Sequence, residues 1–311
     1  MTETLAVETK DLTKNYDGVT VVDHLDLNIR ENEIFGLLGP NGAGKTTTIL
    51  MLLGLTEPTS GTAQVCGFSP TREPLKVKRQ VGYLPEKVGF YDSLTPAENL
   101  RFIAELNNIT GTEADRLIDE LLERVELTKD RMLAVGKFSR GMKQRLGIAD
   151  VLIKRPKLVI LDEPTSGLDP QGINQLLNLI GELPQKGTTV VLCSHQLYQV
   201  QKVCNSVGIL SKGKMVIGGP MDKVGRDALA RGRYTIEVET GQPSPQLVDI
   251  VKKIKGVISA EARENVLRVS TNADLRSEIS KAVVQNDIPL VQVKMQELSL
   301  DDIYMKYFKE G

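Results

Sequence analysis

The sequence predicts an α/β fold with a largely parallel sheet, followed by a small α+β domain. Three observations carry this expectation. Continuous apolar runs at residues 34–38, 158–161 and 189–193 alternate with helical patterns, as strands covered on both faces do. Between about residues 94 and 153 the apolar spacing changes to three and four, so a mainly helical insertion interrupts the strands. From Tyr234 the strand pattern returns in short alternating pieces. The length agrees, since 311 residues make about two domains of roughly 150 each.

Each element has its own signal. The run at 34–38 leads into a glycine-rich turn and then a helix expected over 47–55. Within the insertion, Thr95-Pro96-Ala97-Glu98 has the form of a capping box, with Thr95 as N-cap and Glu98 reaching back. Ala114, Leu117, Ile118, Leu121, Leu122 and Val125 then share one helical face. Lys212-Gly213, Gly218-Gly219-Pro220 and a polar stretch through Arg226, Arg231 and Arg233 punctuate the chain. The expected domains are therefore 1–225, with its helical subdomain at about 94–153, and 226–311.

In the second domain Tyr234, Ile236 and Val238 mark a strand, and Leu247, Val251 and Ile254 a helix. Ile258, Ala260 and Ala262 mark a second strand, and residues 266–270 a third. Leu275, Ile279, Ala282 and Val283 mark another helix, and Val291, Val293 and Met295 a last strand. The order β-α-β-β-α-β predicts a ferredoxin-like sandwich, closed by a helix over 298–308.

Composition removes several function classes. Lys and Arg total 39 against 40 Asp and Glu, so the net charge of −1 argues against affinity built on many nucleic-acid phosphates. No Trp and 4% aromatic residues leave few stacking platforms for single strands. Cys66, Cys193 and Cys204 are scattered and odd in number, which fits a reducing cytosolic compartment better than disulfides or zinc. The acidic and polar start reads as no signal peptide, and no apolar stretch nears the roughly 18 residues of a membrane span. Any membrane role is expected to come from a partner.

The chemistry concentrates in two places. Gly39-Pro40-Asn41-Gly42-Ala43-Gly44-Lys45-Thr46 fits G-x-x-x-x-G-K-[ST] in full, between an apolar strand and the helix that begins near Thr47. Glycines let backbone N–H groups turn onto phosphate oxygens, and the helix N-terminus favours negative charge. Lys45 would reach the β- and γ-phosphates, and the Thr46 hydroxyl would ligate Mg²⁺. Leu158-Val159-Ile160-Leu161-Asp162-Glu163 is an apolar strand ending in two carboxylates. Two unused carboxylates there would be costly, so Asp162 is read as the Mg²⁺ holder and Glu163 as the group orienting or deprotonating water. A structural ion pair is the bland alternative.

The ordered set of motifs resembles the ABC-type ATPases. Phe138-Ser139-Arg140-Gly141-Met142 is similar to that family's signature, usually written LSGGQ. Glu163-Pro164-Thr165-Ser166-Gly167-Leu168-Asp169-Pro170 resembles the continuation into its D-loop, and Ser194-His195 its switch histidine. Tyr16 resembles the aromatic residue that stacks on adenine, although a turn tyrosine beside Asp17-Gly18 is its bland reading. The resemblance spans about residues 5–220 and implies a P-loop NTPase of ABC type with a helical insertion. It further implies a head-to-tail homodimer in which Ser139 and the Gly141 backbone close over the γ-phosphate held by the other copy. His195 would contact the γ-phosphate within its own chain, with ATP and Mg²⁺ as the bound species. His24 is expected to be a surface strand residue.

Two motifs depart from the family pattern. Tyr83-Leu84-Pro85-Glu86 puts Glu86 where a glutamine normally ligates Mg²⁺ and senses the transport partner. A carboxylate there can ligate the metal but also repels the γ-phosphate, so metal contact is the weaker and coupling the stronger reading. Arg140 and Met142 replace a glycine and a glutamine, and Met142 is read as packing. These variants and Leu298-Ser299-Leu300-Asp301-Asp302-Ile303-Tyr304 resemble ATPase subunits of an exporter branch serving drugs, sodium and polysaccharides. Residues 83–91 and Cys193-Ser194-His195 are also similar to the ATPase subunit of the copper-linked maturation system of nitrous-oxide reductase.

The resemblance implies a peripheral subunit on the cytoplasmic face of the membrane, working with a separate permease whose coupling helix rests between the Glu86 segment and about residues 94–100. A soluble ABC ATPase acting on nucleic acid or ribosomes is the rival, although this chain has one ATP module, no sustained heptads and no basic arm. A nucleotide-gated module without turnover is a third reading, against which Glu163 argues. In the second domain nothing gathers ligand-type residues, so dimer support or partner docking is expected ahead of a regulatory ligand site.

Overall fold

The structure is a computed structural model that describes residues 4–221, 223–224, 234–242 and 246–296. The chain divides into two compact units, Met1–Met221 and Asp222–Gly311. Among the described residues no helix is long and apolar enough to cross a membrane.

The first unit contains two sheets. Strands β1 (Leu5–Tyr16), β2 (Val19–Arg30) and β4 (Ser60–Val65) form an antiparallel sheet in the order β2-β1-β4. The larger sheet has the order β5-β6-β7-β3-β8-β9, built from β3 (Ile34–Leu38), β5 (Val81–Leu84), β6 (Leu158–Asp162), β7 (Thr189–Ser194), β8 (Ser206–Ser211) and β9 (Lys214–Pro220). Its strands run parallel except β9, which closes the edge antiparallel to β8. Every residue of β3, β6 and β7 is buried, which is why their sequences are apolar without alternation. Helix α1 (Lys45–Leu52) packs with both sheets around Leu12, Leu37, Ile49, Leu52 and Ile160, each no more than 1% exposed. Truncating any of these to alanine costs about 2–5 kcal/mol.

The remaining helices frame this core. Helix α2 (Pro74–Gln80) precedes β5. The insertion consists of α3 (Pro96–Leu106), α4 (Gly111–Arg124) and α5 (Arg140–Leu152). The capping box at Thr95 is formed: its hydroxyl accepts from Glu98 N, and Glu98 Oε2 accepts from Thr95 N at 2.7 Å. On α4 the residues at three- and four-residue spacing from Ala114 to Leu122 are buried. Helix α6 (Pro170–Gly181) is capped by Asp169, and α7 (Leu197–Val203) follows β7. α7 lies so close to β3 that a Cβ on Gly36 would fall 2.4 Å from Val200 Cγ1, so only glycine admits this contact.

The second unit has the succession expected of it: β10 (Tyr234–Thr240), α8 (Gln246–Lys252), β11 (Val257–Arg263), β12 (Val266–Thr271), α9 (Arg276–Gln285) and β13 (Leu290–Gln296). The sheet order is β11-β12-β10-β13 with every pair antiparallel, the arrangement of a split βαβ sandwich. Its core joins Ile236, Val238, Leu247, Val251, Val269 and Ile279. Ile258, Ala262 and Val291, all read as inward-facing, are exposed, and for Ile258 and Val291 the cause is register. Register shifts between Val257 and Ser259 and opposite β10 between Glu239 and Thr240 leave Ile258 52% and Val291 62% exposed. One extra residue in a strand reverses the local alternation, which a period-2 reading cannot see. The helix expected over 298–308 lies outside the described residues.

Candidate active site

The parallel order places the C-terminal ends of β3, β7 and β6 side by side, because β7 pairs with both of the others. This is the edge where open α/β sheets bind ligands. The glycine-rich turn leaves β3, Asp162 ends β6, and Ser194-His195 follow β7.

The turn ends at Gly44 with φ +103°, where a Cβ would come within 2.7 Å of the Val21 carbonyl oxygen. Helix α1 starts at Lys45 without a side-chain cap and without an acidic residue in its first turn. Its first backbone N–H groups therefore face the turn's cavity as unshared donors, a ready anion site. Lys45 is 6% exposed, and its ammonium donates to Gly39 O at 2.6 Å and Pro40 O at 3.2 Å. Two neutral carbonyls fix its position and leave its charge available to a phosphate. Asn41, Gly42, Ala43, Gly44, Lys45, Thr46 and Thr47 line a cleft of about 180 Å³, together with Val21, Glu86, Asp162 and Glu163. Gly39 and Pro40 act from behind, through Lys45.

Thr46 Oγ1 donates to Asp162 Oδ2 at 3.4 Å, joining α1 to the end of β6. Burial, then repulsion from Glu163, pushes the Asp162 carboxyl above its ordinary value; Glu86 adds to the push, while the Thr46 hydrogen bond and Lys45 oppose it. This concentration of negative charge suits a cation. Among the described residues no group of three or more His, Cys, Asp and Glu could hold a metal ion by itself. One hydroxyl and one carboxylate fit Mg²⁺, which completes its shell with water and phosphate oxygens.

Glu163 shows why two adjacent carboxylates reach one cleft. Its φ is +48°, a left-handed conformation that turns its side chain away from the alternation of β6. Its N–H donates to Cys193 O at 2.9 Å, so the turn is held by β7. The carboxylate is 12% exposed; Oε2 lies 2.9 Å from Nδ1 of the half-exposed His195. Oε1 is buried with no hydrogen-bond partner in the protein. A buried acceptor without a protein partner is costly unless water or substrate supplies one.

Tyr16, Ser139, Gly141 and His195 are not among the cleft-lining residues. Tyr16 is 43% exposed at the end of β1, its hydroxyl 3.4 Å from Thr56 Oγ1 and its ring covered by the Lys14 ammonium at 4.8 Å. Ser139 is the N-cap of α5, with Oγ accepting from Met142 N at 3.2 Å. Gly141 needs neither a positive φ nor tight space, since a Cβ there would meet nothing nearer than 3.8 Å. His24 is exposed on β2, with Nδ1 2.6 Å from Asp23 Oδ1.

Sequence reasoning missed Val21, which β2 brings to the cleft. It named Arg140 only as a departure from the signature, without its hydrogen bond to Ser166 Oγ at 3.3 Å, and it missed the buried Gln199. Two glutamines at i and i+3 behind His195 were the available sign of the latter.

A phosphate cradle at a parallel-sheet edge, a buried lysine and a paired carboxylate terminus define a P-loop nucleoside triphosphatase. The comparisons narrow this class. The family model described as ABC transporter matches residues 22–166. The bacitracin transport ATP-binding protein BcrA of Bacillus licheniformis is 38% identical, covering 98% of this chain and 98% of its own. The linearmycin resistance ATP-binding protein LnrL of Bacillus subtilis (strain 168) is 31% identical over 96% and 97% of the two chains. A solved structure described as the ATP binding subunit of an ABC transporter superposes with a TM-score of 0.66 at 34% identity, covering 72% of this chain and 93% of that one. The chain belongs to the ATP-binding subunits of ABC transporters, of the export type, and is an ATPase. Subunits of this kind work with separate membrane permeases.

Proposed function

We propose that two copies of this chain hydrolyse ATP head to tail and drive export of an antibiotic-type drug through a permease at the cytoplasmic face of the membrane. Within one copy, backbone N–H groups of residues 41–47 and the Lys45 ammonium bind the β- and γ-phosphates, while Gly39 and Pro40 hold that ammonium through their carbonyls. Tyr16 offers its ring to adenine. Thr46 and Asp162 are the residues that would hold Mg²⁺, which when bound neutralises charge on the phosphate oxygens. Glu163 orients the attacking water and accepts its proton, and His195 holds the Glu163 carboxylate while offering its other ring nitrogen to the γ-phosphate. Ser139 and the Gly141 backbone contact the γ-phosphate of the second copy.

The single observation that carries this reading is the left-handed turn at Glu163. It brings a second carboxylate, with one oxygen free of protein partners, beside the metal-binding one. For the permease, a groove of about 350 Å³ in the insertion supports docking near the Glu86 segment; its walls include Tyr91 and Phe102, with ring centroids 5.3 Å apart. The drug reading draws on the names of the two antibiotic-related relatives. Its test is a strain carrying Glu163→Gln in place of the natural chain. Such a strain is expected to lose tolerance to bacitracin or linearmycin; unchanged tolerance to both contradicts drug export.

A further inference from the structure

A buried polar network joins the two loops that carry Glu163 and His195. Thr165, Ser194 and Gln199 are each no more than 1% exposed. Gln199 lies on α7, and its amide oxygen accepts from the Thr165 hydroxyl and, at 3.4 Å, from the Ser194 hydroxyl. Its amide nitrogen donates to the Gln196 side-chain oxygen at 2.6 Å. The Gln196 backbone N–H in turn donates to Ser194 Oγ at 3.0 Å. One side chain thus ties the residue two places after Glu163 to the residue just before His195.

A glutamine in this position is an expensive choice for packing alone. Burying an amide costs free energy that an apolar side chain of similar length avoids, and only a fully bonded network offsets it. The anchor also has little freedom, because Val200, the next residue of α7, sits against β3 where only Gly36 admits it. Glu163 meanwhile holds a backbone conformation at φ +48° that persists only where its surroundings over-determine it. The network supplies such a constraint on both sides of the carboxylate–imidazole pair.

We propose that Gln199 is a positioning residue for hydrolysis: through Thr165 and Ser194 it holds Glu163 and His195, which sit on separate loops, at their 2.9 Å spacing. The proposal rests on the roles given to Glu163 and His195 above. Gln199 is not among the residues lining the cleft, so it acts through its neighbours and leaves the phosphate cradle alone. Its loss is expected in kcat and not in the KM for ATP.

The test is steady-state ATP hydrolysis by the full chain carrying Gln199→Met, Gln199→Glu, His195→Ala, Glu163→Gln and the Gln199→Met/His195→Ala pair. Methionine keeps the length but leaves the Thr165 and Ser194 hydroxyls without their acceptor. Gln199→Met is expected to lower kcat about tenfold with KM within about twofold. Gln199→Glu keeps acceptor oxygens in place and is expected to recover most of the loss. On the His195→Ala background Gln199→Met is expected to cost less than about twofold, because the pair it positions is already broken. Should Gln199→Met fail to fold, Thr165→Val removes one arm of the network and is expected to show the same loss in kcat alone. Natural kcat in both Gln199→Met and Thr165→Val, or a Gln199→Met loss fully additive with that of His195→Ala, overturns the proposal. If Glu163→Gln and His195→Ala themselves turn over normally, the site assignment falls and the proposal with it; if they are impaired while Gln199→Met is not, the proposal alone falls.

Discussion

The phosphate cleft is assembled within one chain, whereas the signature turn, equally legible as a motif, is left outside it. Lys45, Thr46, Asp162 and Glu163 come from elements far apart in sequence and line one cavity, with His195 Nδ1 2.9 Å from Glu163 Oε2. Ser139 and Gly141 do none of this; Ser139 caps its own helix, and Gly141 has no conformational or steric need to be glycine. The difference teaches which half of the reaction machinery a single copy completes. A glycine that its own chain does not require keeps backbone accessible to another molecule, which on the proposed account is the nucleotide of the second copy.

The largest effect expected from this contrast is at the cleft. Glu163→Gln is expected to lower turnover by a factor of about 100 or more, the range of a lost general base, while nucleotide still raises the melting temperature. Lys45→Ala is expected instead to abolish that nucleotide-dependent rise; an unchanged shift in a calorimetric melt removes Lys45 from phosphate binding.

At the signature turn the defect is expected in trans. Ser139→Ala should reduce hydrolysis about tenfold with nucleotide binding to the single chain retained, alongside about 1 kcal/mol lost with the helix cap. Mixed with Lys45→Ala subunits, it forms heterodimers holding one site with both motifs intact, so part of the activity should return. No recovery in verified heterodimers breaks the contrast.

The smallest effect concerns the far end of the same helix α5. Burial pushes the Asp150 carboxyl from 3.8 to about 6, with Lys154 opposing the shift. A raised folded-state value means that the native chain holds this proton more tightly than the unfolded one. Stability from that source is complete below about pH 4 and lost as the pH rises through about 6. Asp150→Asn should therefore gain about 2 kcal/mol at pH 8 and almost nothing at pH 4, read by denaturant melts. An equal effect at both values shows that the carboxylate is not desolvated, and that α5 is more open at that end than at its capped start.

Much of this contrast was readable from residues alone, for identifiable reasons. The strands β3, β6 and β7 are buried throughout, so their sequences are plainly apolar. The phosphate turn was legible because backbone geometry demands glycine at Gly44, and the start of α3 because Thr95 and Glu98 satisfy each other locally. Features set by tertiary register were not readable. The outward turn of Ile258 and Val291 depends on where one strand slips past its neighbour. The left-handed Glu163 depends on a hydrogen bond to β7, and the role of Gln199 on a threonine 34 positions away. Nor does the sequence reveal that Lys14 covers the Tyr16 ring, a cation that adenine would have to share or displace.

The central claim is that the cleft of one chain is completed by the signature turn of another. The most direct measurement is sedimentation of Glu163→Gln at saturating Mg·ATP, alone and in complex with its membrane partner. The account predicts a monomer without nucleotide that becomes a dimer when ATP is added, and a dimer lost again when Ser139→Ala is introduced into the same chain. A species that stays monomeric with ATP bound in both settings contradicts it.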